Sequence, residues 1–203
     1  MTSPTKSSVC QGRTDIVKVA GALLAAGIGS RYCGPTHKLL ANLDGEAIVR
    51  RAARSMVNSG LTDLLVVTGS APVEAVLASW PQLEMLHNPD YEEGISTSLR
   101  TATNWAERGG FDALVVGLGD QPGVLSTAWR SVAASSSPIA VATYGGRAGN
   151  PVRLASSVWP MLPDSGDEGA RVLMRTRPEL VERVACEGSP DDVDTVEDLG
   201  RWS

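Results

Sequence analysis

With 203 residues, 42% of them apolar and 20% charged, the chain has the composition of a globular protein, and it is long enough to bury about 70% of its unfolded surface without a disulfide or metal to hold it together. A formal net charge of −5 and the lack of a long basic run exclude the electrostatic footprint of a duplex nucleic-acid binder, and no apolar run approaches the roughly 18 residues that a membrane span needs. Cys10, Cys33 and Cys186 are odd in number and widely spaced, and His37 and His87 are the two histidines, so neither a disulfide framework, a CxxC zinc site nor a His-rich metal site is expected, and a reducing cytoplasm fits best.

Residues 1–15 are polar and lack an apolar core of signal-peptide length, so they are expected to form a disordered tail, with residues 16–203 as a single domain. Residues 17–25 form the first expected strand. Helical spacing over 46–59 puts Ile48, Val49, Ala52, Ala53, Met56 and Val57 on one side, with Gly60 as C-cap. Strands follow at 64–68 and 83–87, with a short helix at 73–79 between them. A helix over 94–107, a strand over 113–118, a helix over 126–135 with Ser126 as N-cap, and a strand over 139–144 complete the regular part. Beyond it, 155–161 and 168–177 read as helical, 180–184 as a strand and 196–201 as a short helix. Strands bounded by helices predict an α/β fold whose mainly parallel sheet is covered on both faces. Ligands of such sheets sit outside the C-terminal strand ends, which directs attention to the segments that follow each strand.

The first such segment is Gly27-Ile28-Gly29-Ser30-Arg31, with Lys38 further on. Glycines let the backbone approach an anion, and successive N–H groups can cradle phosphate oxygens. Arg31 offers a planar fork of donors and Lys38 a compact charge. A dinucleotide fingerprint would need Gly near Tyr32, and a Walker loop would need Lys where Pro35 stands, so neither applies. After the fourth strand, Gly119-Asp120-Gln121-Pro122 places a carboxylate at a strand end. Mg²⁺ is held by one or two such carboxylates together with phosphate oxygens. The plainer readings are a tight turn bearing two surface cations and an ordinary Asp-Pro turn.

Leu24-Ala25-Ala26-Gly27-Ile28-Gly29-Ser30-Arg31 followed by Lys38 resembles the signature loop of the MobA-like NTP transferases. Further blocks resemble that family in the same order, so the likeness runs from about residue 18 to residue 200. They are residues 88–100, Gly119-Asp120-Gln121-Pro122, the Gly149-Asn150-Pro151-Val152 block with Gly145 to Ala148 before it, Gly166-Asp167-Glu168-Gly169-Ala170-Arg171, and residues 192–199. Three departures stand out: Cys33 where Gly is usual, Val196 where Pro is usual, and Lys38 a couple of residues further from Arg31 than in the commonest form.

The resemblance implies a three-layer α/β/α, Rossmann-like fold of the nucleotide-diphospho-sugar transferase type. It implies nucleotide binding by Leu24, Ala25, Ala26, Gly27, Gly29, Arg31, Lys38, Gly119 and Asp120, with Arg31, Lys38 and Asp120 catalytic. Mg²⁺ is expected on Asp120 and Asp194, with Asp192 the fallback, and the acceptor on Gly149, Asn150, Pro151, Glu168 and Arg171. Ala26 and the later blocks point to the cytidylyltransferase branch. The expected reaction moves CMP from CTP to molybdopterin or its molybdenum form and releases pyrophosphate, with a molybdoenzyme or its chaperone as partner. The alternatives are a nucleotidyltransferase that uses GTP or a sugar phosphate, and a non-catalytic cofactor-binding or delivery protein on the same fold.

Overall fold

The computed structural model describes residues 17–200, so the expected tail, Cys10 and Arg201 lie outside the described residues. The first strand, β1 (Val19–Ala25), is almost entirely buried. A hairpin of two-residue strands, β2 (Asn42–Leu43) and β3 (Glu46–Ala47), leads into helix α1 (Ile48–Val57). Next come β4 (Leu64–Thr68), α2 (Glu74–Leu77), β5 (Leu83–His87), α3 (Ile95–Arg108), β6 (Ala113–Leu118), α4 (Ser126–Ala133) and β7 (Ile139–Tyr144). The chain closes with β8 (Arg147–Ala155), α5 (Arg171–Thr176), β9 (Val181–Ala185) and α6 (Val196–Leu199). Seven strands form one sheet in the order β5-β4-β1-β6-β8-β7-β9. Only β8 runs antiparallel to its neighbours. No helix among the described residues is long and apolar enough to cross a membrane.

Side-chain alternation along the strands creates two cores. Leu23, Val66, Val115 and Ala140 face one way, onto α1 and α4, where Met56 and Trp129 are buried. Ala22, Leu24, Leu65, Val116 and Leu154 face the other way, onto α3 and α5. Helix α1 turns Val49, Ala52, Ala53 and Met56 inward at the expected helical spacing. A third, smaller cluster joins Ala41, Leu43 and Ile48 to Val193 of the C-terminal segment. That cluster carries the far end of the chain back towards the loop after β1.

The strand expectations for β4, β5, β6 and β7 hold at both ends. The first strand starts at Val19 rather than Val17, and the last occupies 181–185. The helix expected over 46–59 is shorter, because Glu46 and Ala47 pair with β2. Its C-cap is Asn58, and Gly60 lies two residues beyond at φ +92°. Ser126 is the first helical residue of α4 and Leu125 is its cap. Residues 156–161 form a 3₁₀ stretch rather than an α-helix. The helix expected from residue 168 begins at Arg171, which leaves Glu168 in the preceding turn.

The largest addition is β8, a nine-residue strand in a region where the sequence pattern assigned no element. Its signal was present. Gly145 and Gly146 adopt φ +58° and +87° and turn β7 directly into β8, and a Gly-Gly pair between extended runs favours such a hairpin.

Trp129 makes the core beneath β6 sensitive to one added atom. The indole is 1% exposed and lies so close to Gly117 that a Cβ there would meet Trp129 Cζ2 at 2.4 Å. The variant Gly117→Ala should therefore lose about 1–3 kcal/mol of stability to overpacking. Urea unfolding checks this, and an unchanged midpoint would contradict the packing described.

Candidate functional site

The loop between β1 and the 3₁₀ turn Lys38–Leu40 arches over the strand ends and lines a cavity of 520 Å³. Ala26, Gly27, Gly29, Arg31 and Asp120 all face this cavity, with Leu24 and Leu118 in its floor. A Cβ built on Gly27 would meet nothing within 4 Å, so open space lies beside that backbone. Ala25 and Gly119 lie behind the loop, where Gly119 N–H donates to Leu24 O at 2.9 Å.

Lys38 does not swing out to solvent. It is 8% exposed, and its ammonium donates to Asp120 Oδ2 at 2.6 Å and to Asp194 Oδ1 at 3.1 Å. The other oxygen of Asp194 meets Arg31 Nη2 at 3.0 Å. Burial works to lower the Lys38 pKa, but Asp120 and then Asp194 outweigh it and hold the group above its ordinary value. The structure thus brings together Arg31, Lys38, Asp120 and Asp194 from three separate segments. Thr195 and Asp198 form a capping box that begins α6 immediately after Asp194.

Asp192 is placed differently. Its carboxylate accepts from Gln121 Nε2 at 2.7 Å. Burial and then the charge of Asp120 raise its pKa above the usual value. Gln121, 4% exposed, also donates to Pro190 O at 2.8 Å and accepts from Asn150 Nδ2 at 3.0 Å. One buried amide therefore ties the Asp120 turn to β8 and to the C-terminal segment. Sequence reasoning passed over Gln121, although a polar side chain inside a strand-end motif was a usable signal.

A second cavity, of 310 Å³, adjoins the first and shares Leu24, Ile95, Leu118 and Asp167 with it. Its walls are mostly apolar, including Leu99, Val116, Val141, Val152 and Leu154. Of the residues expected on the acceptor side, Gly149, Asn150, Glu168 and Arg171 line it. Pro151 does not line it. It follows Asn150 through a cis peptide bond, at the register shift between β7 and β8. Glu168 faces Arg175 at 2.9 Å, and that hydrogen bond holds its carboxyl below the usual range.

His37 and Ser70 are further residues that sequence reasoning did not assign. Leu39 N–H donates to His37 Nδ1 at 3.2 Å, so the proton of the neutral ring sits on Nε2. That nitrogen donates to Gly27 O at 3.2 Å, beside Ser70 Oγ at 3.1 Å, and Ser70 itself donates to Gly27 O at 2.9 Å. Burial lowers the His37 pKa from 6.5, the nearby Gly27 and Ile28 carbonyls oppose this, and Lys38 lowers it further. The unfolded chain therefore takes up this proton first as pH falls. The stabilisation is complete above pH 6.5 and is lost as pH falls through the folded value. Unfolding free energy should drop between about pH 7 and about pH 5, and the drop should be shallower in His37→Gln. Parallel denaturation curves for the two proteins across that range would contradict the neutral assignment.

Comparisons with known proteins bear on the family and the fold. The MobA-like NTP transferase domain matches residues 21–184. The chain is 32% identical to the nicotine blue oxidoreductase of Paenarthrobacter nicotinovorans over 94% of its own length and 98% of that protein's. It is also 32% identical to the purine catabolism protein PucB of Bacillus subtilis, over 88% of this chain and 92% of that one. A nucleotidyl transferase from Methanothermobacter superposes with a TM-score of 0.78 at 21% identity, covering 91% of this chain and 95% of that one. With a three-layer α/β fold, a glycine loop over the strand ends and a domain match over most of its length, the chain belongs to the MobA-like NTP transferase family and is a nucleotidyltransferase.

Proposed function

We propose that the protein transfers CMP from CTP to molybdopterin or its molybdenum form. The observation that carries this reading is the reach of one ammonium nitrogen to both Asp120 and Asp194, at 2.6 and 3.1 Å, beside a glycine loop. A site that lets one cation touch two carboxylates suits Mg²⁺, which takes one or two carboxylates and completes its shell with phosphate oxygens and water. Asp120 and Asp194 would hold that ion, and it would offset charge on the triphosphate. Asp194 suits this role better than Asp192, whose carboxylate is engaged by Gln121.

The chain's own residues then act by placement. Gly27 and Gly29 present backbone to the phosphates, and Arg31 and Lys38 offset charge on the departing pyrophosphate. An acceptor phosphate oxygen forms a bond to the α-phosphorus. The bond from that phosphorus to the bridging oxygen breaks, and pyrophosphate leaves with the electron pair. The attacking oxygen is already anionic, so alignment matters more than a base. Leu24 and Leu118 lie where the two cavities meet, so donor and acceptor would face each other across them.

The apolar wall of the second cavity supports an acceptor with a flat ring face over a polyhydroxylated sugar phosphate. Each sugar hydroxyl buried there without a partner would cost about 1–3 kcal/mol. Ala26, 3% exposed and lining the first cavity, supports cytosine over the larger guanine.

The test is turnover of CTP and GTP with molybdopterin, read as pyrophosphate release. CTP should be preferred, and Ala26→Gly should narrow the preference. Asp120→Asn and Asp194→Asn should each lower turnover by on the order of 100-fold or more, the scale on which one lost electrostatic contact slows a reaction, while keeping the parent's circular-dichroism spectrum. Preference for GTP would overturn the cytidylyl reading, and normal turnover by both variants would overturn the metal assignment.

A further inference from the structure

We propose that Lys38 is a built-in counter-ion that fills the metal position between Asp120 and Asp194, so that divalent metal binds tightly only together with a triphosphate that draws the ammonium away. The inference rests on the assignment of these two acids as metal ligands and makes that assignment conditional on nucleotide. The four charged groups in contact are Asp120, Asp194, Lys38 and Arg31, and their formal charges cancel. A divalent cation that approaches this cluster finds both carboxylates already paired with cations, while the neighbouring Asp192 carboxylate is held by Gln121. To reach both carboxylates it must displace an ammonium 2.6 Å from one and 3.1 Å from the other.

The two cations are not equivalent. The Arg31 side chain is 75% exposed, so water screens its pairing with Asp194. The Lys38 side chain is 10% exposed. Its backbone is fixed by the Leu39 N–H to His37 Nδ1 bond and by Leu39, which is 2% exposed in the core. Displacement therefore falls to the flexible end of the Lys38 side chain.

The stem of Lys38 passes close to Gly29, where a Cβ would meet Lys38 Cγ at 3.1 Å, and Gly29 lines the first cavity. Rotation about the terminal bonds of the side chain moves the ammonium from the acids towards phosphates on that loop, with the backbone in place. A triphosphate supplies the anionic partner that makes the exchange favourable, and the freed carboxylates then take the metal. Metal and nucleotide should therefore bind with strong mutual enhancement, which thermodynamic linkage makes reciprocal.

The experiment titrates Mn²⁺ alone, followed by its free-ion EPR signal, into the full chain and into Lys38→Met, then repeats both with a non-hydrolysable CTP analogue. Once the Mn²⁺ that the analogue holds in protein-free solution is subtracted, the wild type should bind Mn²⁺ weakly alone and at least about tenfold more tightly with the analogue, the factor that one hydrogen bond to a charged group is worth. Lys38→Met should bind Mn²⁺ alone about tenfold more tightly than the wild type, and Asp194→Asn in that background should remove the gain. Equal Mn²⁺ affinity with and without the analogue in the wild type overturns the proposal. That arm needs no variant, so it stands if Lys38→Met fails to fold with two unpaired acids. Metal binding is read without turnover, so a protein inactive with CTP and molybdopterin could still show the coupling. An active protein without the coupling would keep its function and lose this device.

Discussion

The bridge from Lys38 to Asp120 and Asp194 is the interaction on which the site depends. Asp120 ends a central strand, whereas Asp194 lies in an irregular segment near the end of the described chain. Like charges brought this close repel, and their removal from water adds to the cost. The ammonium offsets both effects, and a hydrogen bond to a charged group contributes about 1.5–3 kcal/mol. Neutral contacts reinforce the arrangement. Val193 N–H donates to Asp120 O at 3.0 Å, Val193 is fully buried, and Gln121 ties Asp192 and Pro190 to the same turn.

The rest of the architecture sets what surrounds that bridge. Parallel strands β1, β4, β5 and β6 all end at one edge, so their following loops gather there. The antiparallel strand β8 enters the sheet from that edge and brings Gly149 and Asn150 beside the second cavity. Segments around Glu93 and Gly166 exchange backbone hydrogen bonds at 3.0 Å, which sets Asp167 between the two cavities. The two adjoining cavities differ in character, one under a glycine loop with cations and the other walled by aliphatic side chains.

Local chemistry in the sequence determined much of this protein. Short buried apolar runs specify β4, β6 and β7, because a fully buried parallel strand needs no polar alternation, whereas β5 lies at the sheet edge and is only partly buried. The loop from Gly27 to Arg31 and the acid at Asp120 suggested anion and metal chemistry from sequence alone because glycine freedom and charge type are local properties. The resemblance to MobA-like transferases rested on those same residues. Strand β8 was harder to see, since its residues alternate poorly and its hairpin signal lay inside a block read for its chemistry. Helix α5 was overestimated because Glu168 reads as a helix start, whereas Gly169 beside it takes φ +51° and keeps Glu168 in a turn.

Only the tertiary structure decided which polar groups meet. The choice between Asp192 and Asp194 was open in sequence, since both project to one face of an extended segment. Packing of Val193 into the small core and capture of Asp192 by Gln121 turned Asp194 towards Lys38. The spacing of Arg31 and Lys38 left the reach of Lys38 open as well. The His37 and Leu39 contacts settled it, because they hold the backbone so that the side chain runs inward. Residue type and local pattern determine what chemistry a segment can offer, whereas long-range packing determines which of those offers share one site.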